Sequence, residues 1–463
     1  MRRTLTLLGV VIGLLGCDPQ TPVVTPPQPT TTPVATAAPT AAPADPAPVT
    51  DGDVTVAWVN GIQVLVKRNP GAELSAMHLY IKGGACDWTD KDAGVGELAL
   101  SVAASGGTAS LDKDAFHQKL TDLGSELDAS MGRDFGSIRG KSLLSAWDDT
   151  FALLADAFLH PAMPTSELEI RRGQLIGQLR QEEEDPDSAL GLAVSKLIYK
   201  GHPFENRPVG TEASVKSLTL DAANQYLTKL RQGSRLVFVT VGDVDPAHVI
   251  EKVKAAFGGL PRGDYQDTPF PALKLDKPAL QIVERKLDTN YIEGIFAAPS
   301  WSSPDFPDAV VAMSILQHRV FEEVRTKRNL SYAPNAQLAI TTSLPQGVLY
   351  VTATKPAATI QVMFDEVKKL QNEAVPEKDL TGTKSVYLTH YLMRNEETSG
   401  QASMLGTALL LGGDWKLSRT LPERIRGVTA AGVQAFAKKY MARMQFTVLG
   451  DPEKVDKALF TSM

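Results

Sequence analysis

Histidine and cysteine are the side chains that most often hold a catalytic metal, and their spacing limits the chemistry open to this chain. A helical zinc site needs two histidines four residues apart on one face, a third protein ligand and an open position for water. The chain has seven histidines, and no two lie within five residues of each other: His78, His117, His160, His202, His248, His318 and His390. With Cys17 and Cys86 as the only cysteines, zinc-ribbon and CxxC chemistry are excluded as well.

Carboxylates offer a second kind of metal site. Glu97 and the acidic run 182–185 contain enough oxygen ligands for a hard cation such as Ca²⁺ or Mg²⁺. A solvated acidic helix end explains the same run more simply, and we favour that interpretation. Cys86 is interpreted as a small buried residue near a strand end rather than a reactive thiol.

Length and composition point to a folded protein of more than one domain. The 463 residues include 43% hydrophobic and 22% charged residues, which is ordinary for a globular protein. The formal net charge is −6, so the chain lacks the basic footprint of a nucleic-acid-binding protein, and no nucleic-acid partner is expected.

The first residues have the pattern of a targeting segment. Arg2 and Arg3 precede the apolar run 5–15, which is too short to cross a bilayer as a stable helix. The run ends in Leu-Leu-Gly-Cys, which resembles the lipobox of bacterial lipoproteins. That resemblance implies removal of residues 1–16, lipidation of Cys17 and a lipid-anchored, periplasm-facing protein of the bacterial cell envelope. The alternative is an ordinary secretory signal with a chance cysteine, and neither interpretation identifies the membrane leaflet.

Residues 17–52 are rich in Pro, Thr and Ala and have few large apolar residues, so we expect an extended, disordered tether. The fold is then expected to begin at residue 53. Alternating apolar residues on either side of Asn60-Gly61 predict a β-hairpin. The following patterns predict strands over 75–82, 135–144 and 235–241, and helices over 95–105, 113–124, 147–160, 167–184 and 221–230.

The chain also repeats a segment. SLTLDAANQYLTKL followed by LVFVTVGD in 217–243 matches GVTAAGVQAFAKKY followed by MQFTVLGD in 427–451. We therefore expect an N-terminal domain over 53–260, a Gly- and Pro-containing linker over 261–276 and a homologous C-terminal domain over 277–463. The expected class is α+β, a tandem repeat in which helices pack on a mostly antiparallel sheet.

Four stretches carry a family resemblance: KGGACDW with GVGELALS in 82–101, GHPF with PVGT in 201–211, VFVTVGD in 237–243 and VRTKRNLSY in 324–332. They resemble the insulinase/pitrilysin family of zinc metallopeptidases, the inverzincins. The similarity covers about residues 53–460 and is closest to the two-domain members that include the mitochondrial processing peptidase. It implies a fold that forms half of a clamshell.

This family carries H-x-x-E-H on its first conserved helix, where two histidines bind zinc and the glutamate activates water. The matching positions here are Glu97, Leu100 and Ser101. A more distant glutamate ligand matches Gln178 or its neighbour Gly177. The resemblance thus implies a degenerate site with no metal and no cofactor in this chain.

The second half keeps two residues that the family uses to bind substrate carbonyls and steady the tetrahedral intermediate, and they match Arg325 and Tyr332. A guanidinium and a phenol hydroxyl are donors suited to developing negative charge. The alternative is that Arg325 pairs with a carboxylate such as Glu322 and that Tyr332 lies in the core. Leu409–Gly413 could be a substrate-contacting glycine loop, although a helix C-terminal turn is preferred.

The resemblance implies a non-catalytic subunit that assists a zinc-bearing sibling, or a second copy of itself, in hydrolysing unfolded peptides. Zinc is then expected in the partner. The rival hypothesis is a purely structural or peptide-binding lipoprotein with no role in proteolysis. A third, less favoured, is an active enzyme with a shifted metal site.

Overall fold

A computed structural model describes residues 44–89, 91–267 and 269–461 of the chain. The expectations for residues 1–16, for Cys17 and for most of the tether lie outside the described residues. Ala44 onward forms one compact unit. Among the residues described, no helix combines the length and the apolar character needed to cross a bilayer.

Two sheets organise this unit. The first has seven strands in the order β1-β2-β3-β7-β4-β6-β5, and the second has five in the order β10-β11-β9-β12-β8. The strands are β1 Val49–Asp51, β2 Val54–Val59, β3 Ile62–Arg68, β4 Leu74–Lys82, β5 Glu126–Met131, β6 Phe135–Leu143, β7 Leu236–Gly242, β8 Ala279–Glu284, β9 Asn290–Ala297, β10 Asn335–Ala339, β11 Gln346–Ala353 and β12 Gln445–Gly450. Only β3 with β7 and β8 with β12 pair in parallel, which confirms the mostly antiparallel α+β class.

Helices cover both sheets. They are α1 Val95–Ser105, α2 Lys113–Asp122, α3 Trp147–Leu159, α4 Thr165–Glu184, α5 Pro186–Ile198, α6 Glu212–Ser217, α7 Leu220–Leu230, α8 Pro246–Phe257, α9 Phe306–Val320, α10 Pro356–Asn372, α11 Glu377–Arg394, α12 Thr398–Gly412, α13 Lys416–Arg426, α14 Ala430–Tyr440 and α15 Lys457–Phe460. A π-helical segment, Phe321–Thr326, directly continues α9. Every helix predicted in 95–230 is present to within about two residues.

The predicted hairpin is confirmed as β2 and β3. Its two turn residues, Asn60 and Gly61, have φ values of 49° and 86°, the left-handed geometry that such a two-residue turn requires. The Asp45 carboxylate caps the turn, accepting hydrogen bonds from both backbone N–H groups and from Arg262 at 2.8 Å.

The folded unit begins earlier than composition suggests. Residues 49–51 form β1, which pairs with β2 at the edge of the first sheet. Asp51 also forms ion pairs with Lys416 at 2.8 Å and with Arg419 at 2.9 Å. The expected tether boundary at residue 52 was therefore wrong, because two aspartates in this polar stretch have specific partners that composition does not reveal.

The internal repeat is visible in the local structure. Thr219 caps α7 by accepting a hydrogen bond from the Ala222 N–H, and Thr429 caps α14 in the same way through Gly432, both at 3.1 Å. In each case the helix leads into a buried strand, β7 or β12, that pairs with one parallel neighbour and one antiparallel neighbour. The described residues between α8 and β8 form no helix or strand. The predicted linker over 261–276 falls within this stretch.

Each sheet is covered on one face by a helix from the other half of the chain. One face of the first sheet packs on its own helices α1, α3, α7 and α8, but the opposite face packs on α12. Tyr80 on β4 meets α12 at Gly406, where the lack of a side chain leaves room for the aromatic ring. The second sheet is covered in return by α5, through Leu190, Val194 and Ile198. The two halves are therefore interlocked.

A test of this interlocking is Gly406→Ala. The added Cβ would lie 2.3 Å from the Tyr80 ring, so α12 or the sheet must move, and we expect a loss of about 1–3 kcal/mol in the free energy of unfolding. Chemical denaturation measures it. Gly173→Ala in α4 is the control, because nothing lies within 4 Å of its Cβ and the helix should gain up to ~1 kcal/mol. Equal midpoints for the Gly406→Ala and parent proteins would contradict tight packing here.

The α5 interface also predicts a pH dependence. Burial raises the pKa of Glu293 on β9 to about 7, with a smaller contribution from the Asp187 carboxylate of α5, which accepts a hydrogen bond from the Tyr350 hydroxyl. A raised pKa means that the group's contribution to stability is fully present below its ordinary value of 4.5 and is lost as the pH rises through 7. Glu293→Gln should therefore be more stable than the parent at pH 8, by up to about 3 kcal/mol.

Denaturation at pH 5 and pH 8 measures this difference. Glu396 provides the control, because it is exposed and its side chain has no partner in the described part of the chain; the difference between pH 5 and pH 8 should be the same in Glu396→Gln as in the parent. A parent protein and a Glu293→Gln variant with parallel profiles would contradict the prediction.

Candidate functional site

Helix α1 holds three of the four positions that correspond to a zinc site in the family. It starts after Gly94, whose φ of 91° lies in the left-handed region, and it is buried on nearly every side. Gly96 permits this depth, because a Cβ there would come within 2.6 Å of Trp88 and 2.9 Å of Met131. The helix contacts β5, α3, α4 and α7.

Glu97 occupies the first of these positions and is partly buried. Its Oε2 accepts a hydrogen bond of 2.8 Å from the backbone N–H of Met131, the last residue of the edge strand β5. Burial raises the pKa of the Glu97 carboxyl, and this hydrogen bond opposes the rise. The carboxylate therefore gives an edge-strand N–H a partner.

Leu100 and Ser101 occupy the next two positions. Leu100 has no exposed surface and packs in the core of the first half. The Ser101 hydroxyl donates a hydrogen bond of 3.0 Å to the carbonyl of Leu98, within the same helix. An alkyl side chain cannot bind a metal, and a hydroxyl bonded to its own helix is a poor zinc ligand.

Gln178 lies on α4 with an exposed side chain, and its amide donates a hydrogen bond of 2.8 Å to Glu182. Gly177, the alternative match, is also exposed and has no side chain. Within the described ranges, no group of three or more His, Cys, Asp and Glu side chains is arranged to hold a metal ion. The side chains at these positions do not fit zinc.

The acidic run at the end of α4 has structural partners instead. Glu182 pairs with Arg207, and Arg285 donates hydrogen bonds to the backbone carbonyls of Glu183 and Glu184, the latter at 2.6 Å. Glu97 is engaged separately with Met131. The hard-cation hypothesis therefore has no geometric support among the described residues.

A buried carboxylate that the sequence analysis missed ties α1 to α4. Glu167 is 1% exposed and accepts hydrogen bonds from Ser105 at 2.9 Å, Lys113 at 2.5 Å and Arg171 at 2.7 Å. Burial opposes ionisation, but these three donors hold the pKa of Glu167 below its ordinary value. The i,i+4 spacing of Glu167 and Arg171 was a usable signal for part of this network.

Arg325 and Tyr332 are brought together in the second half. Arg325 lies in the π-helical segment, and its Nη1 donates a hydrogen bond of 3.1 Å to the carbonyl of Tyr332. The guanidinium lies 5.0 Å from the centre of the Phe321 ring and 5.7 Å from that of Tyr332. Tyr332 is 75% exposed, so the core alternative for this residue was wrong. Among the described residues, Arg325 forms no ion pair with Glu322. The neighbouring Glu323 pairs with Lys327 and Arg328.

Two other motifs have structural roles. The glycines at 412–413 end α12, and Gly413 has a φ of 80°, which confirms the helix C-terminal turn. The His202 ring bridges a loop: Nδ1 accepts from the Phe204 N–H at 3.0 Å, and Nε2 lies 2.9 Å from the Pro271 carbonyl.

The thiol of Cys86 has a pKa raised to about 12 by burial, so it is not a reactive nucleophile.

A cavity of about 1280 Å³ lies between the two halves. One wall is the end of β5 and the start of β6, residues 130–139, and the others are α9, β10, α11 and α12. Because its lining residues are far apart in the chain, no local sequence signal predicts it.

Two family models match the chain. Residues 63–212 match the model of Insulinase (Peptidase family M16), and residues 217–387 match the model of the Peptidase M16 inactive domain. The second match begins within the first half, just before α7, and the two matches together span most of the described residues.

Individual proteins give the same result. The chain is 20% identical over 404 residues to the "non-peptidase homolog YmxG" of Helicobacter pylori, covering 85% of this chain and 93% of that protein. It is 22% identical over 262 residues to the mitochondrial-processing peptidase subunit beta of Saccharomyces cerevisiae, covering 56% of each. A Pseudomonas fluorescens structure titled as a peptidase M16 inactive domain superposes with a TM-score of 0.78 at 18% identity, over 86% of this chain and 97% of that one. The chain therefore belongs to the insulinase (M16) peptidase family, as a member that lacks the zinc motif.

Proposed function

We propose that this chain is the zinc-free subunit of a two-chain metallopeptidase, in which it forms part of the peptide chamber and assists a zinc-bearing partner. The observation that carries the proposal is the accessible Arg325–Tyr332 pair in a chain whose own zinc positions hold Glu97, Leu100, Ser101 and Gln178. A pair of donors without a metal of its own can serve a catalytic site that another chain supplies.

Arg325 and Tyr332 both have hydrogen-bond donors that remain available for a ligand. Arg325 uses one of its five N–H donors on the Tyr332 carbonyl, and the Tyr332 hydroxyl has no hydrogen-bond partner in the described part of the chain. Both side chains are exposed. Preorganised donors of this kind stabilise the negative charge that develops on a carbonyl oxygen during hydrolysis.

Two edge strands support the peptide-binding part of the proposal. β5 ends one sheet and β10 ends the other, and residues at or beside both strands line the cavity. Extended peptides commonly bind by adding a strand to such an edge. One N–H on each edge is already occupied, that of Met131 by Glu97 and that of Ala336 by Gln317, so a peptide would pair with the remaining backbone groups.

The names of two relatives fit the two parts of the proposal, a chain without catalysis and an assembly of subunits. One is named a non-peptidase homologue, and another is named as a subunit of a processing peptidase.

We further propose that lipidated Cys17 anchors the protein in the bacterial envelope facing the periplasm. Mass spectrometry of the membrane fraction would test this, since Cys17→Ser should abolish the lipid adduct and release the protein.

The assisting role predicts the effect of Arg325→Ala on peptide hydrolysis by a reconstituted pair. The partner is a sibling chain from the same genome with an intact H-x-x-E-H motif. Loss of one transition-state donor should lower kcat by roughly 100-fold with little change in KM. Arg325→Lys should restore part of the activity, because it keeps the charge but not the planar fork.

Arg443→Ala is the matched control, because Arg443 is exposed and has no partner among the described residues. Unchanged turnover in the Arg325→Ala pair, with complex formation intact, would refute the assisting role.

The second candidate function is structural or peptide-binding only. It is favoured by the stacking of Arg325 between Phe321 and Tyr332, since exposed aromatic and arginine side chains are typical of interface hot spots. In that case Arg325→Ala would weaken complex formation and leave kcat of the residual complex unchanged.

Zinc analysis of the purified chain tests the remaining hypothesis of a shifted metal site.

A further inference from the structure

The cavity between the two halves has an uneven charge. Its five permanently cationic residues are Arg133, Arg139, Arg319, Lys378 and Arg394, and its two carboxylate residues are Asp134 and Asp379. His318 and His390 also line it. The chain as a whole has a net charge of −6, so this excess of cations is local and is not a property of the composition.

These cations lack acidic partners. None of the five has a carboxylate oxygen within 4.0 Å among the residues that the structure describes, although ion pairs are frequent elsewhere in the chain. Arg319 and Lys378 have no hydrogen bond from their side chains at all within the described ranges. Arg139 and Arg394 each use one N–H on a neutral oxygen, that of Ser137 at 3.0 Å and that of the His390 carbonyl at 3.4 Å.

Arg133 and Asp134 serve the structure instead. The Nε of Arg133 donates to the Phe204 carbonyl at 3.0 Å, and its guanidinium lies 5.0 Å from the centre of the Tyr199 ring. Asp134 accepts hydrogen bonds from the hydroxyl and the N–H of Ser343, the latter at 3.2 Å. Asp134 is therefore occupied. Asp379 is the other carboxylate in the lining, so Arg139, Arg319, Lys378 and Arg394 leave an excess of positive charge in the cavity.

Apolar side chains form a second part of the wall, beside neutral polar residues such as Gln317 and Asn335. Trp301, Met313, Ile340, Tyr387 and Met404 line the cavity, and Val386 is 57% exposed. Methionine side chains adapt to varied ligand shapes. The volume of about 1280 Å³ exceeds the ~300–1,000 Å³ of a typical small-molecule site, which favours a polymer segment.

We propose that this cavity binds an acidic peptide segment, in which carboxylates alternate with apolar side chains. Arg139, Arg319, Lys378 and Arg394 bind the carboxylates, and the apolar wall takes the side chains between them. A cleft lined by one sign of charge raises the local concentration of an oppositely charged ligand. The proposal rests on the proposed function only in that the occupant is a peptide; it requires neither a zinc-bearing partner nor a catalytic role for Arg325.

Peptide is favoured over nucleic acid because apolar residues in the wall outnumber the cations. A phosphate backbone would pair with the cations but would make no favourable contact with the apolar side chains. Two of the four cations, Arg139 and Arg319, are half-buried in the cavity wall, whereas nucleic-acid surfaces present their cations as an open patch or stripe.

The experiment measures binding by the full chain alone, using fluorescence anisotropy. The probe is a labelled peptide in which Glu alternates with Leu, Ala and Gly. Matched peptides carry Gln or Lys in place of Glu, and a labelled single-stranded oligonucleotide is the fourth probe. We expect the acidic peptide to bind most tightly, and its affinity to fall with rising salt.

The test variant combines Arg319→Gln, Lys378→Gln and Arg394→Gln. It should weaken binding of the acidic peptide by roughly tenfold and leave the Gln peptide unchanged. The control combines Lys200→Gln, Lys229→Gln and Lys254→Gln. It removes the same charge from exposed positions outside the cavity whose side chains have no partner among the described residues. It should change binding less than twofold. Thermal unfolding establishes that both variants are folded.

Equal affinity for the Glu and Gln peptides, tighter binding of the oligonucleotide, or equal losses in the test and control variants would each overturn the proposal. The outcome is separable from that of the proposed function. If Arg325→Ala leaves the turnover of a reconstituted pair unchanged while the cavity variant loses acidic-peptide binding, the assisting role fails and the cavity proposal stands.

Discussion

The structure depends on covering the second face of each sheet. A strand such as β7 is buried along its whole length, with Phe238 facing the helices of its own half and Val239 facing α12. Exposing that second apolar face would cost about 25 cal/mol for each Å² of apolar surface. Neither half can cover both faces of its sheet alone, so α12 and α5 cross between the halves. This exchange fixes the distance between the sheets, and the cavity is the space that remains.

The same packing explains how the fold persists without zinc ligands. Helix α1 is held by apolar contacts on most sides and by the Glu167 network at its C-terminal end, so its position does not depend on a metal. Leu100 is fully buried, and burying a leucine contributes about 1.5–3 kcal/mol, whereas the family's glutamate at this position would need polar partners. Glu97 keeps a polar role by bonding the N–H of Met131. Helix α1 therefore uses for packing and hydrogen bonding the positions that serve the zinc site in the family.

The sequence predicted what local chemistry determines. Asn60-Gly61 predicted a turn, the repeated segments predicted that 217–243 and 427–451 share one local structure, and residue patterns predicted β4 and β7. It missed β5, whose half-exposed residues ELDASM give little apolar alternation, and α5, which begins immediately after α4 at Pro186. The helix exchange, the cavity and the exposure of Tyr332 depend on contacts between distant segments, which no local pattern encodes. The resemblance located Glu97, Leu100 and Ser101 but could not indicate what Glu97 now binds.

One helix links the two proposed binding features. Arg319 lies in α9 and lines the cavity, while Arg325 lies in the π-helical segment and stacks on the exposed Phe321 and Tyr332 rings. A π turn inserts about one extra residue, which rotates the following side chains by roughly 100° relative to an unbroken α-helix. Such insertions are frequent at functional sites. Arg319 and Arg325 lie six residues apart on this continuous helix and contribute to two different surfaces, so that substitution of each separates peptide capture from assistance to a partner.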